Sequence, residues 1–303
     1  MKEYYLAQTR LLLDVLPIVS RYKDFALKGG TALNYFLHDM PRLSVDIDLQ
    51  YLPINEYQEA QQSIHSQMEQ LCNEIIQVFP SAQCQYHKQN FRITIRYRNV
   101  DIKIETNDVI RGYVYEPVRL DLCDKVAQEF GISLEFTCLH EADLYAGKLC
   151  ASLDRQHPRD LFDIRYLLNK AGALDRQIIQ AFVVYLAGSK KSIRELLDPN
   201  QQDIADTYTS KFEGMADSDI SLEALMDMQA QLPGIIQGLL TDDDKQFLLG
   251  LKRGEPDWSL LPIAHVKDLP AVKWKMLNLD KMDSESRQVA IDKLEAFLIQ
   301  DLE

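Results

Sequence analysis

The sequence predicts an α+β protein: a mixed sheet with flanking helices, followed by an all-helical lobe. Three observations carry this. Before residue 140 the segments run α, β, α, β, α, hairpin, strand, without regular βαβαβ winding. Two strictly alternating stretches, "NFRITIRY" and "VDIKIETND", flank Arg98–Asn99 as a hairpin does. After His140 strand patterns stop and helical periodicity runs to the end. The boundary is therefore placed near residue 140, with a first domain over 1–140 and a helical lobe over 141–303.

Each element has its own signal. Residues 3–20 space their apolar side chains as one helical face requires. "FALKGG" reads as a short strand ending in glycines, and Thr31 is expected to N-cap a helix over "ALNYFLHDM" that Pro41 ends. "SVDIDLQYL" reads as a strand. "NEYQEAQQSIHSQMEQLCNEIIQVF" is a long amphipathic helix closed by Pro80, and "GISLEFTCL" a further strand. In the second half, "EADLYAGKLCASLDRQ" and "PRDLFDIRYLLNKAG" are helices, the latter with Pro158 at its favoured first position. Trp258 and Trp274 are expected in the core or at a lobe interface.

Composition narrows the function classes. Of 303 residues, 46% are hydrophobic and 26% charged, which is globular usage. No apolar run is long enough for a transmembrane helix, and the N-terminus reads as an amphipathic helix, not a signal peptide. Cys72, Cys84, Cys123, Cys138 and Cys150 form no CxxC pair, so a reduced, cytoplasmic protein is expected. A net charge of −13 argues against a general nucleic-acid coat, though not against a local basic cleft. Arg111, Arg119, Arg155, Arg159, Lys190, Lys191 and Arg194 are available for one. From Glu213 to Asp244 there are eight Asp or Glu and no Lys or Arg, a solvated face or a docking surface for a basic partner.

Three constellations can carry chemistry. Asp46 and Asp48 lie two apart on a strand otherwise rich in apolar residues, so both point to one face. Asp101, Lys103 and Glu105 share a face of a later strand, and Glu105 comes alongside the aspartates if the strands are neighbours. Carboxylates so placed are hard oxygen ligands suited to Mg²⁺. Taken alone, the pair is equally an acidic solvent face. "KGGT" sits at a strand-to-helix turn, where Gly29 and Gly30 permit close backbone approach and a helix N-terminus attracts anions. It is neither a Walker A loop nor a dinucleotide fingerprint. Lys148 lies mid-helix among leucines. It either snorkels to water or serves as a point charge for a phosphate. Asp160 and Asp163, three apart near a helix start, share a face. No HExxH or GxSxG motif occurs.

Together, "LKGGTAL", "RLSVDIDLQY", "AGKL" and "RDLFDI" resemble, in order and spacing, the AbiEii/MenT-type nucleotidyltransferase toxins of the polymerase-β-like nucleotidyltransferase superfamily. The four motifs span residues 27–164. The resemblance implies a polymerase-β-like domain and an NTP transferase requiring Mg²⁺ or Mn²⁺. It implies that Lys28, Gly29, Gly30, Thr31, Arg42 and Ser44 bind the nucleotide and that Asp46 and Asp48 hold metal, with Glu105 as the candidate third carboxylate. The superfamily usually has Asp at that third position and this family is loose there; Glu is one methylene longer. Lys148 matches the lysine expected on the triphosphate, so the helical lobe would contribute Lys148 and Asp160 or Asp163 to the site. Which of those two acids is essential stays open. The implied acceptor is the 3′ end of tRNA, and the implied biology is a toxin–antitoxin pair with a cognate antitoxin, in phage defence. Two alternatives are a protein or small-molecule acceptor, and a non-catalytic binding protein.

Overall fold

A computed structural model describes residues 2–172 and 174–299. It is an α+β structure around a mixed seven-stranded sheet. The chain divides into two compact units. The first ends at Leu144 and takes back Thr209–Ile220, while the second holds Tyr145–Tyr208 and the residues from Ser221 onward.

The first unit opens with α1 (Glu3–Val19) and β1 (Phe25–Lys28). A single α-turn, α2 (Gly29–Ala32), follows directly and runs into a π-turn over Leu33–Leu37. Thr31 lies inside α2, and Lys28 occupies the N-cap position, which corrects the expected Thr31 cap. Next come β2 (Asp46–Tyr51), α3 (Tyr57–Val78), β3 (Gln83–His87), β4 (Arg92–Tyr97), β5 (Val100–Glu105), β6 (Val118–Asp121), α4 (Asp124–Phe130) and β7 (Glu135–Cys138). The sequence reading lacked β3, β6 and α4. These are short, and β3 and β6 bury few apolar side chains, so their alternation is faint.

The strand order is β3-β4-β5-β2-β1-β7-β6. β2 pairs in parallel with β5 and antiparallel with β1, so β2 is interior to the sheet. Arg98 (φ 48°) and Asn99 (φ 65°) form the β4–β5 turn, the two positive φ values that a tight two-residue hairpin demands. Period-two alternation then gives the sheet two unlike faces. Ile47, Leu49, Ile93, Ile95, Ile102 and Ile104 are buried on one. α1 packs on β5, and α3 packs on β3 and on α1. Each such side chain contributes about 1.5–3 kcal/mol on burial. The opposite face collects the charged residues of the same strands.

The returning segment joins this unit through backbone pairing. Arg42 bridges Ala216, and the Leu43 N–H donates to the Met215 carbonyl at 2.9 Å.

The second unit is helical. The unit boundary falls within α5 (Glu141–Asp154), and α6 (Pro158–Ala171), α7 (Arg176–Ala187), α8 (Ile193–Leu197) and the start of α9 (Ala205–Lys211), which crosses back into the first unit at Thr209, follow. Then come α10 (Leu222–Leu239), α11 (Asp242–Arg253), α12 (Pro270–Asp280) and α13 (Ser284–Ile299). Asp244 closes a capping box with Thr241 and takes a two-pronged bond from Arg176, at 2.6 and 2.9 Å. That acid is fully buried, so the run from Glu213 to Asp244 is not one continuous solvated face. Trp258 packs edge-on against Phe247, whereas Trp274 is 37% exposed on α12, not a core residue.

Candidate functional site

The turn from β1 into α2 is built against β2. Gly29 has φ +70°, and a β-carbon there would lie 2.3 Å from Asp48 Oδ2. Glycine is needed twice over, for the left-handed backbone and for the approach of the carboxylate. A β-carbon on Gly30 would lie 2.7 Å from Arg42 Nη2 and 3.0 Å from Ser44 Oγ. The glycine pair thus presses one side of the turn onto Asp48 and the other onto the loop that feeds β2.

Beneath the turn lies a buried polar brace. The Thr31 hydroxyl donates to the Asp46 carbonyl at 2.6 Å and lies 2.9 Å from Ser44 Oγ. Tyr35 accepts from the Ser44 N–H at 2.6 Å and donates to the Ser44 carbonyl at 2.8 Å, with Thr9 Oγ1 2.9 Å from its oxygen. Burial pushes the Tyr35 phenol well above its ordinary pKa. Arg42 is 1% exposed, and its guanidinium donates to the Leu43 carbonyl at 2.8 Å. Thr31, Arg42 and Ser44 therefore sit behind the turn, where each fixes backbone, while Gly29, Asp46 and Asp48 are only half-buried. A buried hydrogen-bonded network rigidifies what it supports. Thr9 and Tyr35 were not singled out from the sequence, because nothing in a helical pattern marks a tyrosine that bonds a distant loop.

The sheet register orders the polar face. Lys28, Asp48, Glu105 and Arg92 form one row across β1, β2, β5 and β4. Asp46 lies opposite Lys103 in the adjacent row, and Lys103 is exposed. The two aspartates are thus interleaved with cations, which offsets their mutual repulsion. Lys28 Nζ donates to Gln50 Oε1 at 2.9 Å. Burial pulls its ammonium below the ordinary lysine value, with Asp48 pulling the other way. Arg92 Nε lies 2.7 Å from Glu105 Oε1. Arg92 was missed in the sequence, yet counting back from the Arg98–Asn99 turn pairs it with Glu105.

Among the described residues, no three of His, Cys, Asp and Glu converge as a metal cluster. Glu105 stands beside Asp48 in the register but is engaged by Arg92. Asp46 and Asp48 still fit a hard divalent cation. Mg²⁺ is commonly bound by one or two carboxylates, with substrate phosphates and water completing its shell.

The second unit holds a separate ion cluster. Pro158 starts α6, and the His157 ring accepts from the Arg159 N–H at 3.1 Å, capping the helix. Asp160 in that first turn and Asp163 both face Lys148 of α5. Lys148 Nζ lies 2.8 Å from Asp160 Oδ1 and 2.9 Å from Asp163 Oδ2. Arg155 adds bonds of 2.7 and 3.2 Å to Asp160. Lys148 is 7% exposed and does not snorkel to water. Burial alone would raise the Asp160 pKa, but Lys148 and Arg155 outweigh it and hold the carboxyl well below the usual range. The sequence offered Arg155 as one residue of a basic cleft, whereas here it is bound to Asp160.

The family model described as "Nucleotidyl transferase AbiEii toxin, Type IV TA system" matches residues 10–276. The chain belongs to that family. It is a nucleotidyltransferase of the AbiEii type, a toxin of a type IV toxin–antitoxin system, with an NTP as substrate and a cognate antitoxin as partner. Among solved structures, it is similar to MenT4, a nucleotidyltransferase toxin from Mycobacterium tuberculosis H37Rv. The identity is 16%, the TM-score 0.44, and the match covers 97% of this chain and 92% of that one. None of the curated proteins compared matches the chain. No helix among the described residues is long and apolar enough to cross a membrane.

Proposed function

We propose that this toxin transfers a nucleotide from an NTP to the 3′ end of tRNA, with Mg²⁺ or Mn²⁺ held by Asp46 and Asp48. The observation that carries the reading is the contact of Gly29 with Asp48, which makes the glycine turn and the acidic strand one continuous surface. A triphosphate laid over the Gly29–Gly30 backbone would meet the amides of the turn and Lys28 on one side and the two carboxylates on the other. In the transfer, the acceptor hydroxyl attacks the α-phosphorus and pyrophosphate leaves. The bound cation would supply charge neutralisation at the phosphate oxygens.

The chain's own groups divide the remaining work. Lys28 lies in register with Asp48 and offers a cation to phosphate. Thr31, Arg42 and Ser44 act from behind the turn, holding the nucleotide-binding backbone in shape. Glu105 is proposed as the third carboxylate, with Arg92 setting its direction. Lys148, Asp160 and Asp163 are proposed as catalytic residues of the second unit. Lys148 is held between the two acids, which fix the direction of its ammonium. The domain reading is proposed as well: a nucleotidyltransferase domain over 1–140 and a helical lobe over 141–303. A cytoplasmic location is part of the same proposal.

The net charge of −13 favours a second reading, with a protein or small molecule as acceptor. One assay separates them. The protein is incubated with each NTP labelled at the α-phosphate, Mg²⁺, and total RNA or lysate protein. Label on tRNA supports the first reading. Label confined to a protein or metabolite supports the second, and no transfer with any NTP refutes both.

A further inference from the structure

Away from the polar face of the sheet, two of the five cysteines meet. Cys72 is buried on α3, and Cys84 is half-buried on β3, the edge strand of the sheet. Both are free thiols, and their sulfurs lie 2.9 Å apart. That gap is less than an ångström longer than the ~2.05 Å bond of a disulfide. The helix and the strand already hold the two sulfurs together, so bond formation needs little movement of either element.

We propose that Cys72 and Cys84 are a redox-responsive pair that closes to a disulfide when the protein meets hydrogen peroxide. The hydrogen bond between the thiols assigns their roles. Either sulfur can be the donor across the 2.9 Å contact, and the shared bond draws the Cys72 thiol below its ordinary pKa despite burial while it and burial push Cys84 up. Thiolate is the attacking form, so Cys72 reacts first. Its sulfur attacks the peroxide, an S–O bond forms, the O–O bond breaks, and the leaving hydroxide takes a proton to become water. Cys84 sulfur then attacks Cys72 sulfur, the S–S bond forms, the S–O bond breaks, and the Cys84 proton leaves with the hydroxyl as a second water. The two sulfurs together lose two electrons, and one peroxide becomes two waters.

The structural consequence is local. An edge strand exposes unpaired backbone groups and opens readily. A bond to α3 pins β3 near its start, beside Ile95 of β4. The expected effect is slower opening of β3 in the oxidised protein. The pair lies outside the groups proposed to handle the nucleotide, so its behaviour is independent of that reading.

The full chain is treated with substoichiometric hydrogen peroxide, quenched by alkylation and digested without reductant. The expected product is a Cys72–Cys84 linked peptide lighter by two hydrogens, reversed by dithiothreitol. Backbone hydrogen exchange over 83–87 should slow several-fold after oxidation. Cys72→Ser and Cys84→Ser should each abolish the link, and the peptide map of the wild-type chain stands even if a variant folds poorly. Two results would overturn the proposal. One is that both thiols stay alkylatable. The other is that they oxidise singly to sulfinic acids, or link to Cys123, Cys138 or Cys150 instead.

Discussion

Gly29 in the turn after β1 and Asp48 of β2 are in contact, so close that a β-carbon on Gly29 would lie 2.3 Å from the Asp48 carboxylate. Gly29→Ala therefore has two effects. The positive φ costs about 1–2 kcal/mol for a residue with a side chain, and the methyl displaces Asp48. Nucleotidyl transfer should fall by at least about 10²-fold, the penalty for a misplacement on the ångström scale, while urea unfolding shows only a modest loss. Wild-type kinetics in Gly29→Ala would mean that this contact has no part in the reaction.

Arg92 and Glu105 make a half-exposed pair, so its stabilising effect is small, below about 1 kcal/mol. Its expected importance is directional. Glu105→Ala should raise the Mg²⁺ concentration needed for half-maximal activity, and excess Mg²⁺ should recover part of the rate. Arg92→Ala should produce the same displacement more weakly. Unchanged Mg²⁺ dependence in both variants would remove Glu105 from the metal site.

Lys148 is locked between two buried carboxylates, which gives it a structural as well as a chemical role. Lys148→Met leaves Asp160 and Asp163 without that partner and should destabilise the fold by about 3–5 kcal/mol. A Lys148→Met, Asp160→Asn, Asp163→Asn triple variant should recover much of that stability but no activity. Active triple variant protein would make the cluster purely structural.

The depressed Asp160 pKa sets an acid dependence. A carboxyl lowered on folding contributes stability that is fully present above its unfolded value of ~3.9 and is lost as pH falls toward the folded value. Thermal midpoints measured from neutral pH downward should therefore drop below about pH 4. The drop should be shallower in Lys148→Met. A steeper acid loss in that variant would contradict the assignment.

The sheet was legible where alternation was strong. "NFRITIRY" and "VDIKIETND" gave the β4–β5 hairpin and its turn, and Asp46 and Asp48 stood out because acids are unusual on a strand so apolar. β3, β6 and α4 escaped because they are four to seven residues long and mostly exposed or half-buried, so packing and not pattern defines them. Thr31 looked like a cap from its place after two glycines. In the structure the turn starts earlier, at Lys28, and the hydroxyl bonds across to the Asp46 carbonyl. No local signal reports such a bond. The return of Thr209–Ile220 to the first unit rests on backbone pairing with Arg42 and Leu43, which carries no side-chain pattern at all.

The central claim is that Asp46 and Asp48 with a divalent cation carry nucleotidyl transfer. Its most direct measurement compares wild-type and Asp48→Asn protein, each with α-labelled NTPs and total RNA, in Mg²⁺ or in chelator. Asp48→Asn should keep the wild-type unfolding midpoint within a few degrees, because the amide keeps the shape of a half-buried side chain. Label should appear on RNA only with the wild-type chain and only with metal. Equal labelling by Asp48→Asn, or by the wild-type chain in chelator, would contradict the account.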